Sequence, residues 1–425
     1  MNNFRLLKAT IALSVTTSSL LYATNGDTLI AVGAKARGMG GTGIAISHGA
    51  ESTLTNPALI TSVENNEISF GGTLFMPDIS ASMGQAPLYD SDADMNVIPS
   101  VSIVSKLNDN WYIGVGMWGT AGMGVDYRNA HMDPTDSGNM HMVTNLQLMQ
   151  FGIPVAYKNS GFSVAFTPIL QYGALDINYN DFMGNSNGAG ISQDLAFGYS
   201  LGATYDFAEA GAEGLTVGVV YKSAIDMDYS DQLSVATKPF VDFGIFPGAM
   251  GNNLQQPAEI GVGFAYTTAG HSFAFDYKNI QWSDAKGYQN FGWVDQDIYA
   301  VGYQYTQENW ALRLGYNHAS HPVGEAPSGP QVISAGSYAY AGGNALNLFN
   351  LLGFPATAED HYTVGGSYLL SSGIALDLAY VYAPKTTTTM STIVGLNPST
   401  GDLYTGASTV ENTESSLTFQ LTYKF

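Results

Sequence analysis

The last eleven residues of the chain, SSLTFQLTYKF, alternate strictly between apolar and polar side chains. The apolar members are Leu417, Phe419, Leu421, Tyr423 and Phe425, and the polar ones are Ser416, Thr418, Gln420, Thr422 and Lys424. Because successive side chains of a strand point to opposite faces, one face of this strand is apolar and the other is polar. Such a strand is typical of a transmembrane β-barrel, in which the apolar face meets lipid and the polar face meets the lumen. It is equally typical of a half-buried strand in the sheet of a soluble protein.

The start of the chain favours the membrane barrel. Arg5 and Lys8 precede an apolar stretch over residues 9–21, and Ala23 offers a small residue for cleavage. This arrangement predicts a secretory signal peptide over residues 1–23. The stretch is too short for a membrane helix, and no later run reaches the roughly 18 to 20 apolar residues that a spanning helix needs. We therefore expect an exported protein.

Composition restricts the function further. The chain carries 14 basic and 35 acidic side chains, a formal charge of −21, which excludes a general nucleic-acid binder. Only 12% of residues are charged, about half the usual fraction of a soluble protein, while 49 are Gly and 26 are Tyr. Tyr suits the aromatic girdles of a barrel. Since there is no Cys, no disulfide or thiolate metal site can form. We expect no cofactor.

Fourteen segments show the alternation of a strand or its Gly-rich version. They are residues 66–77, 96–106, 110–119, 143–158, 161–179, 194–207, 214–229, 257–267, 271–282, 297–306, 309–319, 360–370, 373–384 and 415–425.

The links between these segments alternate strictly in length. The short ones include NSG at 159–161 and SSG at 371–373, while the long ones are 78–95, 120–142, 180–193, 230–256, 283–296, 320–359 and 385–414. An even strand count with this alternation predicts a 14-stranded antiparallel β-barrel in the outer membrane of a Gram-negative cell. The short turns and both chain termini are then periplasmic, and the long loops extracellular. Only a closed barrel pairs every strand backbone group within lipid.

Residues 24–64 have a different character. Gly38, Gly40, Gly41 and Gly43 crowd this segment, and a helix-compatible stretch then stops at Asn56-Pro57-Ala58. The segment has enough apolar residues to be buried, so we expect a compact plug inside a barrel formed by residues 65–425. The alternative is a disordered periplasmic tail. The literal GxGxxG spelled by three of the glycines does not indicate a dinucleotide site, because no strong strand precedes it.

Several blocks of the sequence resemble the FadL-like outer-membrane transporters of long-chain fatty acids and other hydrophobic compounds. They are GAKARGMGGTGIAISHGAESTLTNPALI, NWYIGVGMWG, QQPAEIGVGFAY, FAFDYKNIQWSD, WALRLGYNHASHPV and HYTVGGSYLLSSGIALDLAYVYA, and together they run over most of the chain. The resemblance implies a monomeric 14-stranded barrel with an internal plug. It also implies capture of an oily ligand between extracellular loops, a tighter site beside the plug, and exit into the membrane at a kinked third strand. Since no energy source is evident in the sequence, we expect transport by diffusion.

Two predicted extracellular loops carry clusters of apolar side chains, which usually mark binding surfaces. The candidate capture residues are Phe240, Phe243 and Phe246 in one loop, and Leu348, Phe349 and Leu352 in the other. The alternative is that these side chains simply pack against each other beneath the loops.

The third strand carries Gly114, Gly116 and Gly119, and Gly within a strand marks a bend, a bulge or a close approach. The resemblance implies a lateral opening here. Relatives often end this strand with Pro-aromatic-Gly, whereas this chain has Met117-Trp118-Gly119, so the local geometry departs from the family pattern.

A carboxylate ligand needs a cationic partner. Lys35 and Arg37 lie in the predicted plug, and Arg313 points inward by parity, as do Lys222 and Lys278. The alternative is that these cations pair with the inward-facing Asp276 and Asp377, because unpaired charges in a narrow lumen are costly. A neutral alkane or aromatic compound is therefore the alternative to a carboxylate ligand.

Other functions receive less support. The histidines of an HxxH pair, His318 and His321, and of one loop, His131 and His141, lack an acidic partner at zinc-site spacing, so we expect no enzyme and no metal site. Three alternating carboxylates, at positions 90, 92 and 94, fit either a solvated loop or a divalent cation shared with lipopolysaccharide phosphate. The terminal aromatic residue resembles an insertion signal for the barrel-assembly machinery. A general porin or a structural outer-membrane protein is the alternative function.

Overall fold

The computed structural model describes residues 24–130 and 137–425. The predicted signal peptide and His131 lie outside these residues. Within them, no helix combines the length and the apolar character that crossing a membrane requires.

Fourteen antiparallel strands of the described chain close into one barrel. They are β1 (Asn66–Met83), β2 (Asn96–Lys106), β3 (Trp111–Asp126), β4 (Val143–Gly152, continued by Val155–Asn159), β5 (Phe162–Asn180), β6 (Ser192–Asp206), β7 (Leu215–Lys222), β8 (Glu259–Thr268), β9 (His271–Ile280), β10 (Gln296–Thr306), β11 (Trp310–Ala319), β12 (Asp360–Ser371), β13 (Ile374–Leu396) and β14 (Leu403–Lys424). The predicted fold class and strand number are confirmed.

The last strand closes the barrel against the first. β14 pairs with β1 from Ser408↔Met83 to Lys424↔Glu67, and Phe425 and Asn66 exchange backbone hydrogen bonds at the end of the seam. In β14 the apolar side chains point outward and the polar ones inward, as the alternation predicted. Leu417 and Phe419 are 46% and 48% exposed, while Ser416 and Gln420 are buried. The oily face therefore forms the outer surface, and the polar face meets the interior.

Tight turns join the strands at one end of the barrel. Ser160-Gly161 and Ala269-Gly270 have φ values of 47°, 69°, 47° and 84°. Positive φ at both central residues is the type I′ conformation, whose twist matches that of the strands it joins. This end is called the short-turn end, and the opposite one the long-loop end.

Several predicted bounds were wrong at the long-loop end. Residues 385–414 were expected to be a loop, yet β13 and β14 extend through most of this range. β1 and β3 also run on, to Met83 and Asp126, whereas β7 ends early at Lys222. Beyond the lipid the outward face is polar and only the inward face is apolar, as at Met390 and Val410 in the loop cluster, so the lipid-facing alternation disappears although the backbone ladder continues.

The interior contains residues 24–64, which we call the plug. It begins with a hairpin of two short strands, Thr24–Asn25 and Thr28–Leu29, called the plug hairpin. Short helices follow: α1 (Ala34–Gly38), a 3₁₀ turn (Gly49–Glu51), α2 (Ser52–Thr55) and a 3₁₀ helix (Pro57–Ser62). Asn56 starts the last of these by accepting a hydrogen bond from Ala58 N at 3.1 Å.

The long loops contain most of the remaining helical structure. Their elements are α3 (Gln232–Asp242), α4 (Gly342–Leu348), a π turn (Phe349–Gly353), and 3₁₀ turns at Gly138–His141, Trp282–Asp284, Tyr288–Phe291 and Tyr338–Ala341. Short strands lie at Tyr89–Asp90, Ser186–Gly188 and Val332–Ile333, and one 3₁₀ turn, Phe207–Ala210, lies at the short-turn end.

Both termini were predicted on the short-turn side. Phe425 lies there, but the first described residues do not. Gly26 contacts the Trp282 ring, and the Asp27 carboxylate accepts a hydrogen bond from Tyr288 Oη in a long loop. The plug hairpin therefore lies high in the lumen, beneath the long loops.

Candidate ligand site beside the plug

A narrow part of the plug crosses the lumen at Ile44 and Asn56. The Asn56 amide Nδ2 donates to Ile44 O at 2.7 Å and to Val219 O on β7 at 3.4 Å. Asp276 on β9 accepts hydrogen bonds from Gly43 N at 2.7 Å and Ile44 N at 3.0 Å. We call residues 43–46 and 55–57 the partition. Asp276 was considered as a partner for an inward cation; its carboxylate attracts Lys278 at longer range and also accepts these hydrogen bonds from the plug backbone.

Wall glycines give the partition room. A Cβ atom on Gly218 would overlap Ile44 O, and one on Gly202 would overlap the Asn56 carboxamide oxygen. On Gly263 it would lie 2.7 Å from Ile44 Cβ. The predicted plug glycines are seated in the same way, since Gly38 lies against Gly365, and Gly40 against the backbone of Tyr316. Each of these close approaches is possible because at least one of the two partners is a glycine, which has no side chain.

Of the three cations that were candidates for binding a ligand carboxylate, Lys35 and Arg37 join the plug to the wall, whereas Arg313 forms hydrogen bonds within the wall. Lys35 Nζ lies 3.6 Å from Glu51 and 3.8 Å from Asp377. Arg37 donates to Ala31 O at 3.0 Å and Ser416 Oγ at 2.6 Å, while Arg313 donates to Gln304 and Ser367, both at 2.6 Å. None of the three lines the cavity described next.

Burial changes the charge states within the plug. Burial raises the pKa of Glu51 to about 7, with nearby Lys35 opposing the rise. Burial lowers the pKa of His48 to about 3, although its hydrogen bond to Thr42 O opposes this. Burial also raises the pKa of Asp27, against its hydrogen bonds from Tyr288 and Gln256.

A cavity of about 70 Å³ lies above the partition, between the plug hairpin and the wall. Its apolar lining comes from the plug and from the upper ends of the strands, and includes Leu29, Ile30, Val32, Leu54, Ala121, Ile169, Ile225 and Ile280. The volume suits about two water molecules rather than a long chain. A larger ligand therefore enters only if the plug hairpin shifts.

Charged side chains, from Lys222, Glu259 and Lys278, occupy one wall of this cavity. Lys222 forms an ion pair with Glu259 at 3.2 Å. Lys278 is 7% exposed, and its ammonium forms no ion pair or hydrogen bond with the described residues, although the carboxylates of Glu259 and Asp276 attract it at longer range. Both lysines were predicted to point inward. A buried ammonium without a direct partner is costly, so an anionic group in this cavity gains an attractive contact.

A second cavity, of about 160 Å³, lies below the partition at the short-turn end. Its lining is rich in hydroxyl groups, from Ser47, Thr61, Ser62, Ser163, Thr204, Thr216 and Thr267. Along β9 the order of inward residues is Lys278, Asp276 and then Ala274, so the partition separates an upper apolar and cationic cavity from a lower polar one.

The candidate capture residues meet in one cluster beneath the long loops. Phe240, Phe246, Leu348, Phe349 and Leu352 are buried, and Phe243 is half-buried. The Phe240 and Phe349 ring centroids are 5.2 Å apart. In this conformation the side chains pack against one another, which was the alternative to an open capture surface.

The third strand separates from its neighbour β2 half-way along its length, while its pairing with β4 continues. β3 pairs with β2 only from Tyr112 to Trp118, and its register with β4 shifts between Gly119 and Ala121. Beyond that point Ala121 pairs with Thr28 of the plug hairpin, and all residues from Trp118 to Val125 are buried. The predicted glycines, Gly114, Gly116 and Gly119, therefore lie at and below an inward bend.

The histidines in the part of the chain that the structure describes do not form a metal site. His318 accompanies Asp360 at 2.8 Å on the outer face, and no group of three His, Cys, Asp or Glu side chains able to hold a metal occurs in residues 24–130 and 137–425.

Comparison with known proteins decides the family. Residues 15–345 match the sequence model of the outer membrane protein transport protein family (OMPP1/FadL/TodX). The chain belongs to this family. It is an outer-membrane transport protein, and family members are channels rather than enzymes.

Individual relatives are distant. Outer membrane protein P1 of Haemophilus influenzae is 22% identical over 80% of this chain and 81% of its own, and the long-chain fatty acid transport protein of Escherichia coli is 22% identical over 66% and 73%. Crystal structures of a Pseudomonas aeruginosa FadL homologue and of the P. putida toluene transporter TodX share the fold, with TM-scores of 0.68 and 0.64 at 16% identity. They cover 94% and 93% of this chain, and 100% and 99% of their own.

Two features of the site escaped the sequence analysis. Asp27 was not singled out, although it joins the plug hairpin to a long loop, and Trp118 was noted only as a departure from the family pattern. Each depends on contacts between residues more than a hundred positions apart or on a bend in a strand, and neither leaves a periodic signal in the sequence.

Proposed function

We propose that this protein takes up long-chain fatty acids or other hydrophobic compounds by diffusion. The ligand is captured at the apolar loop cluster, occupies the cavity between the plug hairpin and Lys278, and leaves laterally where β3 bends away from β2. The observation that carries the proposal is the cavity itself, because an apolar lining beside an ammonium with no direct hydrogen bond or ion pair suits an amphiphile with an anionic head.

Lys278 favours a carboxylate over a neutral ligand. An alkane or a toluene molecule contacts the apolar lining but gives the Lys278 ammonium no hydrogen-bond acceptor. A fatty acid contacts the lining with its chain and the ammonium with its carboxylate. Charge-assisted hydrogen bonds are roughly twice as strong as neutral ones, so the preference is measurable.

A binding experiment tests this site. Purified protein is titrated with oleate and with oleyl alcohol, using the wild type, Lys278→Gln and the matched control Lys385→Gln, whose ammonium pairs with Glu411 on the outer surface. We expect Lys278→Gln to weaken oleate binding about tenfold or more and to leave oleyl alcohol unchanged. Equal binding of oleate by wild type and Lys278→Gln contradicts the assignment of the head-group site.

The alternative function is a general porin or a structural protein of the outer membrane. The partition argues against a porin, because residues 43–46 and 55–57 lie between the two cavities and separate them. We also propose a monomer, a lipid-facing outer surface in contact with lipopolysaccharide, and insertion by the barrel-assembly machinery through the terminal strand.

A further inference from the structure

Trp118 lies where the ladder between β2 and β3 ends. Ser100↔Trp118 is the last pair between these strands. From there β3 turns inward, and Gly122 N donates to Asp27 O of the plug hairpin at 2.8 Å. The Asn96–Pro99 part of β2 is left with pairing to β1 alone. The indole therefore stands at the lower edge of a break in the wall.

The indole is buried and held by one hydrogen bond. Its ring is 1% exposed, and Nε1 donates to Ser102 Oγ at 2.8 Å. A Cβ atom on Gly116 would overlap the ring, and one on Gly152 would lie 3.1 Å from Cζ3. These two glycines thus provide the space in which the ring lies flat against the strands.

The same ring adjoins the cavity beside the plug hairpin. Leu29, Val32 and Leu54 line that cavity, and all three belong to the buried apolar cluster that contains Trp118. The cluster continues outward to Phe75 and Ile98, the inward-facing residues of β1 and β2 next to the break. A continuous series of apolar side chains therefore connects the cavity to the break, and the indole lies within it.

We propose that Trp118 is the gate of the lateral exit, so that its indole must move aside before a hydrophobic ligand passes from the cavity into the membrane. This inference rests on the proposed function. Anchoring by a single hydrogen bond, with glycines rather than larger side chains beneath the ring, allows that movement without rearranging the barrel.

Uptake by variants tests the gate. Initial uptake of radiolabelled oleate and toluene is measured in cells that express the wild type, Trp118→Ala, Ser102→Ala or Met149→Ala as the only copy. Met149 is buried in the same cluster and pairs with Gly119, but it lies on β4, on the side of β3 that keeps its ladder rather than on the side of the break. We expect Trp118→Ala to raise the rate roughly fivefold or more, and Ser102→Ala, which removes the anchor, to raise it up to about fivefold. Met149→Ala should not raise it.

A spectroscopic measurement distinguishes a gate from a core residue. The full-length protein is labelled with 5-fluorotryptophan in lipid nanodiscs, and the Trp118 resonance is assigned with Trp118→Phe. Added oleate should shift or broaden the Trp118 signal and leave Trp310, at the short-turn end, unchanged. An unaltered Trp118 signal, or uptake by folded Trp118→Ala at or below the wild-type rate, overturns the gate. A wild type that takes up neither compound overturns the proposed function, and the gate with it.

Discussion

The side-chain amide of Asn56 donates a 2.7 Å hydrogen bond to the backbone carbonyl of Ile44. These two residues belong to the part of the plug that lies against the wall glycines Gly202, Gly218 and Gly263 on the neighbouring strands β6, β7 and β8. The hydrogen bond thus stabilises the partition between the apolar and cationic cavity above and the hydroxyl-lined cavity below. The Asn-Pro-Ala sequence, which looked like a helix stop, is part of a barrier.

Replacing Asn56 should weaken that barrier. Asn56→Ala removes the donor to Ile44 and the acceptor for Ala58, at a cost of about 1–3 kcal/mol to the docking of the plug. We expect a higher single-channel conductance in planar bilayers. Asn56→Asp is the matched comparison, because it keeps the acceptor for Ala58 but not the donor to Ile44. If the two variants both conduct like the wild type, the hydrogen bond does not stabilise the partition.

A methyl group added to the barrel wall at Gly218 should displace the partition by pushing on Ile44. In Gly218→Ala the new Cβ atom overlaps Ile44 O, so we expect a destabilisation of about 1–3 kcal/mol and faster proteolysis within the plug. Gly324→Ala is the control, since no atom lies within 4 Å of a Cβ atom built there. Identical proteolysis of both variants would show that the plug tolerates the overlap.

The loop cluster should contribute to stability as well as to capture. Phe349→Ala removes a ring that contacts Phe240, Tyr179 and Phe291, and the cavity left behind should cost about 3 kcal/mol. Thermal unfolding in detergent measures this loss, and oleate uptake should fall with it. Tyr340→Ala, at a 70% exposed position of the neighbouring turn, should change neither. A Phe349→Ala protein that melts and transports like wild type contradicts the role of the cluster.

Glu51 should make the docking of the plug depend on pH. Burial raises its pKa from 4.5 to about 7, so the docked state binds the proton more tightly than the released state. Docking is then strongest below pH 4.5 and loses up to about 3 kcal/mol as the pH rises to about 7. His48 acts in the opposite direction, because its lowered pKa weakens docking as the pH falls below 6.5.

The difference between the wild type and Glu51→Gln isolates the first effect. Proteolysis of the plug is followed from pH 5 to pH 8 in both proteins. We expect the ratio of wild-type to variant cleavage rates to rise with pH over this range. A constant ratio would mean that Glu51 does not titrate on docking.

The barrel was predictable because lipid imposes a simple pattern. Leu417 and Phe419 must face hydrocarbon while Thr418 and Gln420 face the interior, and fourteen such segments, separated by alternating short and long links, specify the closed sheet. The pattern disappears where lipid ends, so the extension of β13 and β14 through residues 385–414 was missed. There the outward face is polar, as at Thr387 and Thr389, while the inward face packs Met390 and Ile393 against the loop cluster, so the lipid-facing alternation is lost although the backbone pairing continues.

The candidate site was only partly predictable, because parity gives direction but not partners. Lys278 and Arg313 both point inward, yet Arg313 donates to Gln304 and Ser367 while the Lys278 ammonium has no direct partner. Asp276 lies near the cation Lys278 as expected, but its direct hydrogen bonds come from the plug backbone at Gly43 and Ile44. Contacts between the plug and the wall join residues hundreds of positions apart, and alternation along one strand carries no information about them.

Uptake of labelled oleate and toluene, by a strain lacking this protein and by the same strain complemented with it, tests the proposed function most directly. We predict that complementation restores uptake of oleate, with a smaller or equal effect on toluene, and leaves the entry of small hydrophilic solutes unchanged. If complementation alters neither hydrophobic compound but speeds the entry of hydrophilic solutes, the protein is a porin and the account is wrong.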